Sequence, residues 1–231
     1  MSGDKFDKAN NNWKPVPSRS ECTARLAGHG SSVRAICYDL VFTGWRGPPM
    51  VVVPGMNGNL PFAIGKYEIK ISDYSKYCVL TKACKPILDV GKLNYPKAGI
   101  SLADAQKYVA WLSKRTGQKY RLPTREEWQY AASAPGAKPP AKPFKCRLSQ
   151  LKVKGLNGMY VVDGRHGEAN GWGLVNTVGN IQEWTVEPSG EVFASGGDYM
   201  MQDNECSVST AFKHSRQADN VTGFRVLREI Q

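Results

Sequence analysis

The sequence lacks any apolar run approaching the ~20 residues that a helix needs to cross a bilayer. Its polar start, residues 1–8, shows no signal-peptide pattern. It has three scattered histidines, His29, His166 and His214, and no Cys-x-x-Cys pair, which argues against a zinc site. It also contains neither a Gly-x-Ser-x-Gly elbow nor a phosphate-binding glycine loop. These absences argue against membrane-spanning, zinc-binding, serine-hydrolase and nucleotide-binding classes.

Acidic residues are missing from residues 134–162, where basic residues stand among prolines. The whole chain carries 31 Lys and Arg against 20 Asp and Glu, a formal net charge of +11. A basic, proline-rich segment is typical of a solvated loop. The alternative is that the stretch from Lys138 to Lys154 contacts an acidic partner or anionic lipid headgroups. We expect no nucleic acid, because no recognition motif for it is present.

The six cysteines stand at irregular spacing: Cys22, Cys37, Cys78, Cys84, Cys146 and Cys206. An even number without metal-binding spacing predicts disulfides and an oxidising compartment. Cys78 and Cys84 are near enough in sequence to close a small loop, and we further pair Cys22 with Cys37 and Cys146 with Cys206. The alternative is free thiols in a cytoplasmic protein. We expect an extracytoplasmic piece excised from a longer protein that is attached to a membrane.

Capping residues and apolar spacing predict three helices. Ser72 is placed to cap a short first helix. Ser101 caps a longer helix that ends at Gly117, and Thr124 with Glu127 forms a capping box for the third.

Alternating and β-branched segments predict strands at residues 33–42, 51–53, 62–69 and 222–227. Short strands, separate helices and long ordered loops indicate an α+β fold. Residues 1–20 hold almost no core material, so we expect a flexible leader before one domain at residues 21–231.

Residues 173–184 combine the oxygen donors Asn176, Asn180 and Glu183 with a glycine, Gly179, that permits a sharp turn. Carboxylate, amide and backbone oxygens are the ligands that calcium prefers. The segment is too polar for a core strand by its composition. The alternative is a structured loop stabilised by asparagine side chains.

Several motifs stand in a characteristic order: GPPMVVVP from Gly47, IGKYEI from Ile64, SLADA from Ser101, YRLPTREEWQYAA from Tyr120, GLVNTVGNIQEW from Gly173, SGGD from Ser195 and GFRV from Gly223. Together they resemble the formylglycine-generating enzyme (sulfatase-modifying factor) family over about residues 33–228. The resemblance implies a C-type-lectin-like α+β fold with short twisted antiparallel strands, two main helices and long ordered loops.

The resemblance also implies structural calcium. In that family the positions of Asn176, Gly179, Ile181 and Glu183 bind the ion, and here Gly179 and Ile181 offer backbone oxygens. The implied ligand set agrees with the hard-oxygen chemistry of the segment.

Catalytic members of the family resemble one another in a segment Gly-Gly-Ser-x-x-Cys-x-x-x-x-Cys, whose two thiolates bind copper. Here Asp198 replaces the serine and Met201 the first cysteine, and only Cys206 remains. A thioether cannot be deprotonated and is a weaker ligand than a thiolate. We therefore expect neither copper nor oxidase activity. The family's iron-dependent sulfoxide synthases need a histidine cluster that three isolated histidines do not supply.

A degenerate member of this kind resembles periplasmic regulator or sensor domains of bacterial Ser/Thr kinase and type VI secretion pathways. The implied function is a non-enzymatic, calcium-stabilised binding domain for a protein partner or small ligand in the periplasm. Its candidate binding residues are Trp184, Asp198, Tyr199, Met201 and Glu205. The alternatives are a copper-dependent oxidase acting on a cysteine peptide and a lectin-fold protein that displays variable ligand-binding loops.

Overall fold

A computed structural model describes residues 5–7, 12–14, 21–32, 35–140, 145–146, 167 and 169–230. Within these residues the chain forms two four-stranded sheets, two two-stranded sheets and three α-helices. This architecture confirms the predicted α+β class. In the part of the chain that the structure describes, no helix has both the length and the apolar character needed to span a bilayer.

The helices are α1 (Ile71–Thr81), α2 (Leu102–Thr116) and α3 (Arg125–Ser133). The predicted caps of α2 and α3 are confirmed. The Ser101 hydroxyl accepts from the Asp104 N–H at 3.2 Å, and α2 ends at Gly117 with a left-handed φ of 70°. The Thr124 hydroxyl accepts from the Glu127 N–H at 3.1 Å, while the Glu127 carboxylate accepts from the Thr124 N–H at 2.8 Å.

The predicted start of α1 at Ser72 is wrong, because the helix begins at Ile71 after Lys70, whose side chain makes no capping bond. The first turn is satisfied from elsewhere in the chain. The Ile71 N–H donates to the Tyr95 carbonyl at 2.8 Å, and the Ser72 N–H donates to the Leu93 carbonyl at 2.9 Å. Carbonyls from a neighbouring segment thus replace the side-chain cap.

The strands are β1 (Lys5–Asp7), β2 (Asn12–Lys14), β3 (Leu40–Phe42), β4 (Trp45–Arg46), β5 (Met50–Val53), β6 (Phe62–Gly65), β7 (Tyr120–Arg121), β8 (Gln182–Val186), β9 (Val192–Ser195), β10 (Ala211–Lys213), β11 (Thr222–Gly223) and β12 (Leu227–Glu229). One sheet has the order β5-β6-β12-β7 and the other β10-β9-β8-β11. All pairs are antiparallel except β8 with β11, which is parallel.

Three predicted strands have different bounds in the structure. The strand at residues 33–42 is reduced to β3, and residues 33–34 lie outside the described part. The strand at residues 62–69 ends at Gly65, where the backbone leaves the sheet. Residues 222–227 are divided between β11 and β12, which belong to different sheets.

The interpretation of residues 173–184 as too polar for a core strand is wrong at their C-terminal end. Gln182, Glu183 and Trp184 belong to β8, an inner strand of its sheet, and Glu183 is 1% exposed. The polar side chain is tolerated because it finds charged and hydrogen-bonding partners inside the core.

All three predicted disulfides are present: Cys22–Cys37, Cys78–Cys84 and Cys146–Cys206. They account for all six cysteines of the sequence. The alternative of free thiols therefore does not hold in this structure. Disulfides of this kind are typical of proteins in oxidising compartments.

Two other predictions fall largely outside the described residues. Of the basic stretch from Lys138 to Lys154, the structure describes the lysines Lys138 and Lys145, and the Lys145 ammonium lies 3.7 Å from the Asp203 carboxylate. Within residues 1–20 the described strands β1 and β2 pair antiparallel. The flexibility of that leader stays a prediction.

The capping box of α3 predicts a specific acid sensitivity. Burial acts to raise the pKa of Glu127, but hydrogen bonds from Arg121 and the Thr124 backbone outweigh it, so this pKa lies below its ordinary value of 4.5. A carboxyl whose pKa falls on folding stabilises the native state above its unfolded pKa, and this contribution is lost as pH falls through the folded value. We expect Glu127→Gln to be less stable than wild type at neutral pH.

The difference in unfolding free energy between Glu127→Gln and wild type should shrink on acidification to about pH 3, as measured by urea denaturation. Glu126→Gln is the matched control, because Glu126 is exposed in the same helical turn. A constant difference at both pH values would contradict the prediction.

Candidate functional site

A fully buried ion pair lies beneath the predicted calcium segment. Glu183 of β8 faces Arg225, which follows β11, and both side chains are 1% exposed. The Arg225 Nε donates to Glu183 Oε2 at 2.6 Å and its Nη2 donates to Glu183 Oε1 at 2.6 Å. The indole N–H of Trp128, on α3, also donates to Glu183 Oε2, at 2.7 Å. The carboxylate is thus bound on both oxygens.

The guanidinium of Arg225 also joins segments that are far apart in sequence. Its Nη1 donates to the Gly65 carbonyl at 2.9 Å. Its Nη2 donates to the carbonyls of Val175 at 3.1 Å and Asn176 at 3.3 Å. A planar group with five donors suits such a junction. Arg225 therefore fixes the end of β6, the loop at residues 175–176 and β8 relative to one another.

A second buried carboxylate, Glu68, lies in the same cluster and is 1% exposed. It accepts from the side-chain amides of Asn180 at 2.8 Å and Asn176 at 3.5 Å. Burial raises the pKa of Glu68 to about 7, although the Arg225 charge and the Asn180 hydrogen bond act in the opposite direction. The sequence alone did not predict the roles of Glu68 and Arg225. The available signal was a charged residue among apolar ones in each of two motifs, IGKYEI and GFRV.

The backbone of the segment has the turns that its composition predicts. Asn176, Gly179 and Asn180 all have left-handed φ values, of 56°, 76° and 62°. Gly179 also packs against the chain beside Cys146, where a Cβ would lie 2.3 Å from the Lys145 carbonyl oxygen. Only glycine fits this position.

Two observations bear on whether calcium fits here. The side-chain oxygen of Asn176 is buried and accepts no hydrogen bond from any described residue. In addition, two buried carboxylates face one guanidinium, so the cluster has one negative charge in excess when both acids are ionised. An unpartnered amide oxygen and an uncompensated carboxylate are compatible with a bound cation.

The donor set would be unusual in one respect. Glu183 already shares its carboxylate with Arg225, so a calcium ion would compete with the guanidinium for that ligand. Among the described residues no group of three or more His, Cys, Asp and Glu is placed to hold a metal ion. Asn176, Glu183 and the backbone oxygens of Gly179 and Ile181 would therefore have to complete the site.

The segment that replaces the copper motif lies next to this cluster. Gly197 has a left-handed φ of 76°, and a Cβ there would lie 2.3 Å from Cys206 Sγ and 3.2 Å from Met201 Sδ. The two sulfurs therefore lie beside the same backbone position. Tyr199 connects the two segments, because its N–H donates to the Asn180 carbonyl at 3.0 Å.

Asp198 and Cys206, at the positions that the resemblance implies for catalysis, are both bonded within the fold. One Asp198 carboxylate oxygen accepts from the Met200 N–H at 2.8 Å, and the other accepts from the side-chain amide of Gln182. Cys206 is bonded to Cys146 with an S–S distance of 2.06 Å. A disulfide sulfur is not a thiolate and does not supply a copper ligand. Neither member of the family's cysteine pair is available as a thiolate here.

The candidate ligand-binding residues differ in accessibility. Trp184 is completely buried, donates its indole N–H to the Ile100 carbonyl at 3.0 Å and packs edge-on against His214. Tyr199 is half-buried and Glu205 is exposed, with its carboxylate accepting from the Gln202 N–H at 2.7 Å. The accessible part of this region is therefore the loop at residues 199–205, and Trp184 belongs to the core.

The arrangement of sheets, helices and long ordered loops is that of a C-type-lectin-like α+β domain. Residues 56–230 match the family described as "Sulfatase-modifying factor enzyme 1-like domain", and the chain belongs to this family. The bovine (Bos taurus) "Inactive C-alpha-formylglycine-generating enzyme 2" is 34% identical over 108 residues, which are 41% of this chain and 34% of that protein. The Streptomyces coelicolor "Formylglycine-generating enzyme" is 29% identical over 169 residues, 58% of this chain and 51% of that protein.

The chain thus spans about half the length, or less, of these curated relatives. Among solved structures it is similar to PvdO from Pseudomonas aeruginosa, with a TM-score of 0.62, 23% identity and coverage of 79% of this chain and 95% of that one. It is also similar to Treponema denticola variable protein 1, with a TM-score of 0.61, 14% identity and coverage of 78% and 94%. At these identities the likeness concerns the fold. The relatives include both active and inactive formylglycine-generating enzymes.

The buried ion pair predicts a large and asymmetric mutational effect. Arg225→Met leaves the Glu183 carboxylate buried without its charge partner, which should lower the free energy of unfolding by ~3–5 kcal/mol. The double variant Arg225→Met with Glu183→Gln should recover part of this loss, because residue 183 then no longer carries an uncompensated buried charge. Chemical denaturation measures both.

Arg25→Met is the matched control, because Arg25 is exposed and its replacement should change stability by less than about 0.5 kcal/mol. If the Arg225→Met variant is as stable as the Arg25→Met variant, the Glu183–Arg225 pair does not stabilise the fold as proposed.

Proposed function

We propose that this domain is a non-enzymatic, calcium-stabilised binding or sensor domain of an extracytoplasmic regulatory protein. The observation that carries the proposal is the state of the former copper motif. Cys206 is bonded to Cys146, and a methionine stands at the other cysteine position. With no thiolate at either position, the residues that would hold copper and activate oxygen are missing.

A structural rather than catalytic role for the former centre is supported by its hydrogen bonds. Asp198 is 4% exposed and both its carboxylate oxygens accept hydrogen bonds from the protein itself. A side chain in that position is not free to bind a substrate. Asp198 fixes the start of the loop at residues 199–205 by its bonds to Gln182 and Met200. The loop has Tyr199, Met200 and Glu205 on its accessible side. Loops held on a rigid scaffold are common binding surfaces.

The partner and compartment are proposed on chemistry and on the resemblance. Three disulfides fit an oxidising compartment, and we place the domain in the periplasm. The pathway proposal, Ser/Thr kinase signalling or type VI secretion control, rests on the resemblance to regulator domains. The ligand is a protein or a small molecule at the loop of residues 199–205. The basic stretch from Lys138 to Lys154 is a second candidate contact, for an acidic partner or anionic headgroups.

Two other functions have supporting observations. A residual copper oxidase is favoured by the position of Met201 Sδ and Cys206 Sγ beside the same glycine. A ligand-displaying lectin-fold protein is favoured by the exposed Met200 and Phe212, which are 52% and 47% exposed. Neither observation accounts for the bonded state of Cys206, so we prefer the non-enzymatic function.

The non-enzymatic proposal predicts that the wild-type protein neither binds Cu(I) at Cys206 nor converts a cysteine peptide to an aldehyde. Cys146→Ser combined with Met201→Cys should create two adjacent thiols and therefore bind about one equivalent of Cu(I) per chain. Competition with a colorimetric Cu(I) chelator measures binding, and mass spectrometry of the peptide measures turnover.

Cys78→Ser is the control for an isolated thiol, because it frees Cys84 away from this site. It should not bind Cu(I) as tightly as the double variant does. Aldehyde formation by the wild-type protein would refute the non-enzymatic proposal.

The calcium proposal predicts that chelation lowers the thermal midpoint of unfolding. At free calcium one hundred times its dissociation constant, binding should stabilise the fold by about 2.7 kcal/mol. Asn176→Gly removes the unpartnered amide oxygen while tolerating the left-handed backbone, so this variant should lose the calcium dependence.

Asn57→Gly is the matched control, since Asn57 has a similar φ of 51° and is exposed elsewhere in the fold. It should retain the full calcium shift. If calcium leaves the wild-type midpoint unchanged, Arg225 alone compensates Glu183 and the calcium proposal is wrong.

A further inference from the structure

The chain after α1 turns back and runs along that helix as a fixed segment. The disulfide Cys78–Cys84 joins the last turn of α1 to the start of the returning segment. The Ser75 hydroxyl accepts from the Ile87 N–H at 3.0 Å and donates to the Ile87 carbonyl at 3.1 Å. Further along, Leu93 and Tyr95 accept from the first turn of α1. The segment is thus attached at both ends and in the middle.

Aliphatic side chains of this segment and of α1 point into solvent. Leu88 is 76% exposed and Val90 is 81% exposed. Val79, on the last turns of α1, is 56% exposed, and Ile87 is 37% exposed. We call these four residues the α1 patch. A scattered exposed aliphatic residue needs no explanation, but several on one braced segment are typical of an interaction surface.

Four lysines stand within three residues of the α1 patch along the chain: Lys76, Lys82, Lys85 and Lys92. Lys76 lies 3.8 Å from the Asp73 carboxylate and Lys92 lies 3.3 Å from that of Asp89. Among the described residues no carboxylate lies within ion-pair distance of Lys82 or Lys85. The disulfide loop therefore adds two positive charges directly beside the exposed aliphatic side chains.

An aromatic side chain extends the same face. Trp45 of β4 is 39% exposed, and the Lys76 ammonium lies 5.3 Å from its ring centroid. Lys76 and Val79 are three residues apart on α1 and share one side of the helix. Trp45 is therefore in contact with Lys76, and Val79 lies on the same side of α1 as Lys76.

We propose that the α1 patch and its lysines dock onto the surface of an anionic lipid bilayer. Exposed aliphatic residues flanked by lysines, with a tryptophan beside them, suit the boundary between headgroups and acyl chains. Lysines gain from the negative surface potential of anionic lipids. The net charge of +11 adds long-range attraction to the same surface.

A protein partner is less well matched by these residues. The cores of protein interfaces are enriched in aromatic residues, Met and Arg and depleted in Lys. The α1 patch consists of Val, Ile and Leu and is bordered by lysines. The α1 patch lies on other elements than the loop at residues 199–205. A test of membrane docking at the α1 patch is therefore independent of a test of ligand binding at that loop.

The test is co-sedimentation of the purified chain with vesicles of phosphatidylcholine alone or with phosphatidylglycerol added. The wild-type protein should bind the anionic vesicles, and added salt should weaken binding. Lys82→Gln with Lys85→Gln should reduce affinity about thirtyfold. Leu88→Ser with Val90→Ser keeps every charge and should reduce affinity at least about tenfold, because two aliphatic side chains no longer enter the interface.

Matched controls separate docking at this face from general attraction. Arg25→Gln with Lys213→Gln removes the same charge from exposed positions on other elements, and Leu60→Ser removes an exposed leucine that is 71% accessible. Both should bind like wild type, and all variants should keep the wild-type thermal midpoint. Equal weakening by the Arg25 and Lys213 pair would overturn the inference, because binding would follow net charge alone.

Absence of binding to anionic vesicles, or equal binding to neutral ones, would likewise overturn the inference. If the protein does not bind anionic vesicles, the exposed aliphatic residues of the α1 patch are better explained as a protein-binding surface.

Discussion

The fold depends on a charge that is buried and must be compensated inside the protein. Glu183 lies on an inner strand with no access to water, and its cost is offset by Arg225 and the indole N–H of Trp128. Because Arg225 also binds the carbonyls of Gly65, Val175 and Asn176, the pair fixes both sheets and the loop between them. Removing Arg225 leaves the Glu183 carboxylate buried without a charge partner.

The segment at residues 197–206 is built onto this junction. Tyr199 bonds to the Asn180 carbonyl, and Asp198 bonds to Gln182, which stands beside Glu183 on β8. The Cys146–Cys206 disulfide closes the other side, against the backbone at Gly179. The Asp198 carboxylate and the Cys206 disulfide therefore both hold this loop to the junction.

Features set by near neighbours in sequence were predictable, and features set by distant partners were not. The caps of α2 and α3 depend on side chains three residues apart, so Ser101 and Thr124 were read correctly. The start of α1 depends on the Leu93 and Tyr95 carbonyls, and the burial of Glu183 depends on Arg225, 42 residues away. A carboxylate in an apolar segment favours exposure unless a buried partner offsets its charge, so the sequence around Glu183 predicts a loop where the structure has β8.

The internal junction and the surface beside α1 are held by separate sets of contacts. The junction around Arg225 is internal, whereas the segment along α1 is held by its own disulfide and by Ser75. Changes at sites that share no partners have nearly additive effects on stability. Substitutions on the exposed face beside α1 therefore leave the energetics of the junction unchanged. Surface chemistry beside α1 can therefore change while the buried charges, which tolerate few replacements, preserve the fold.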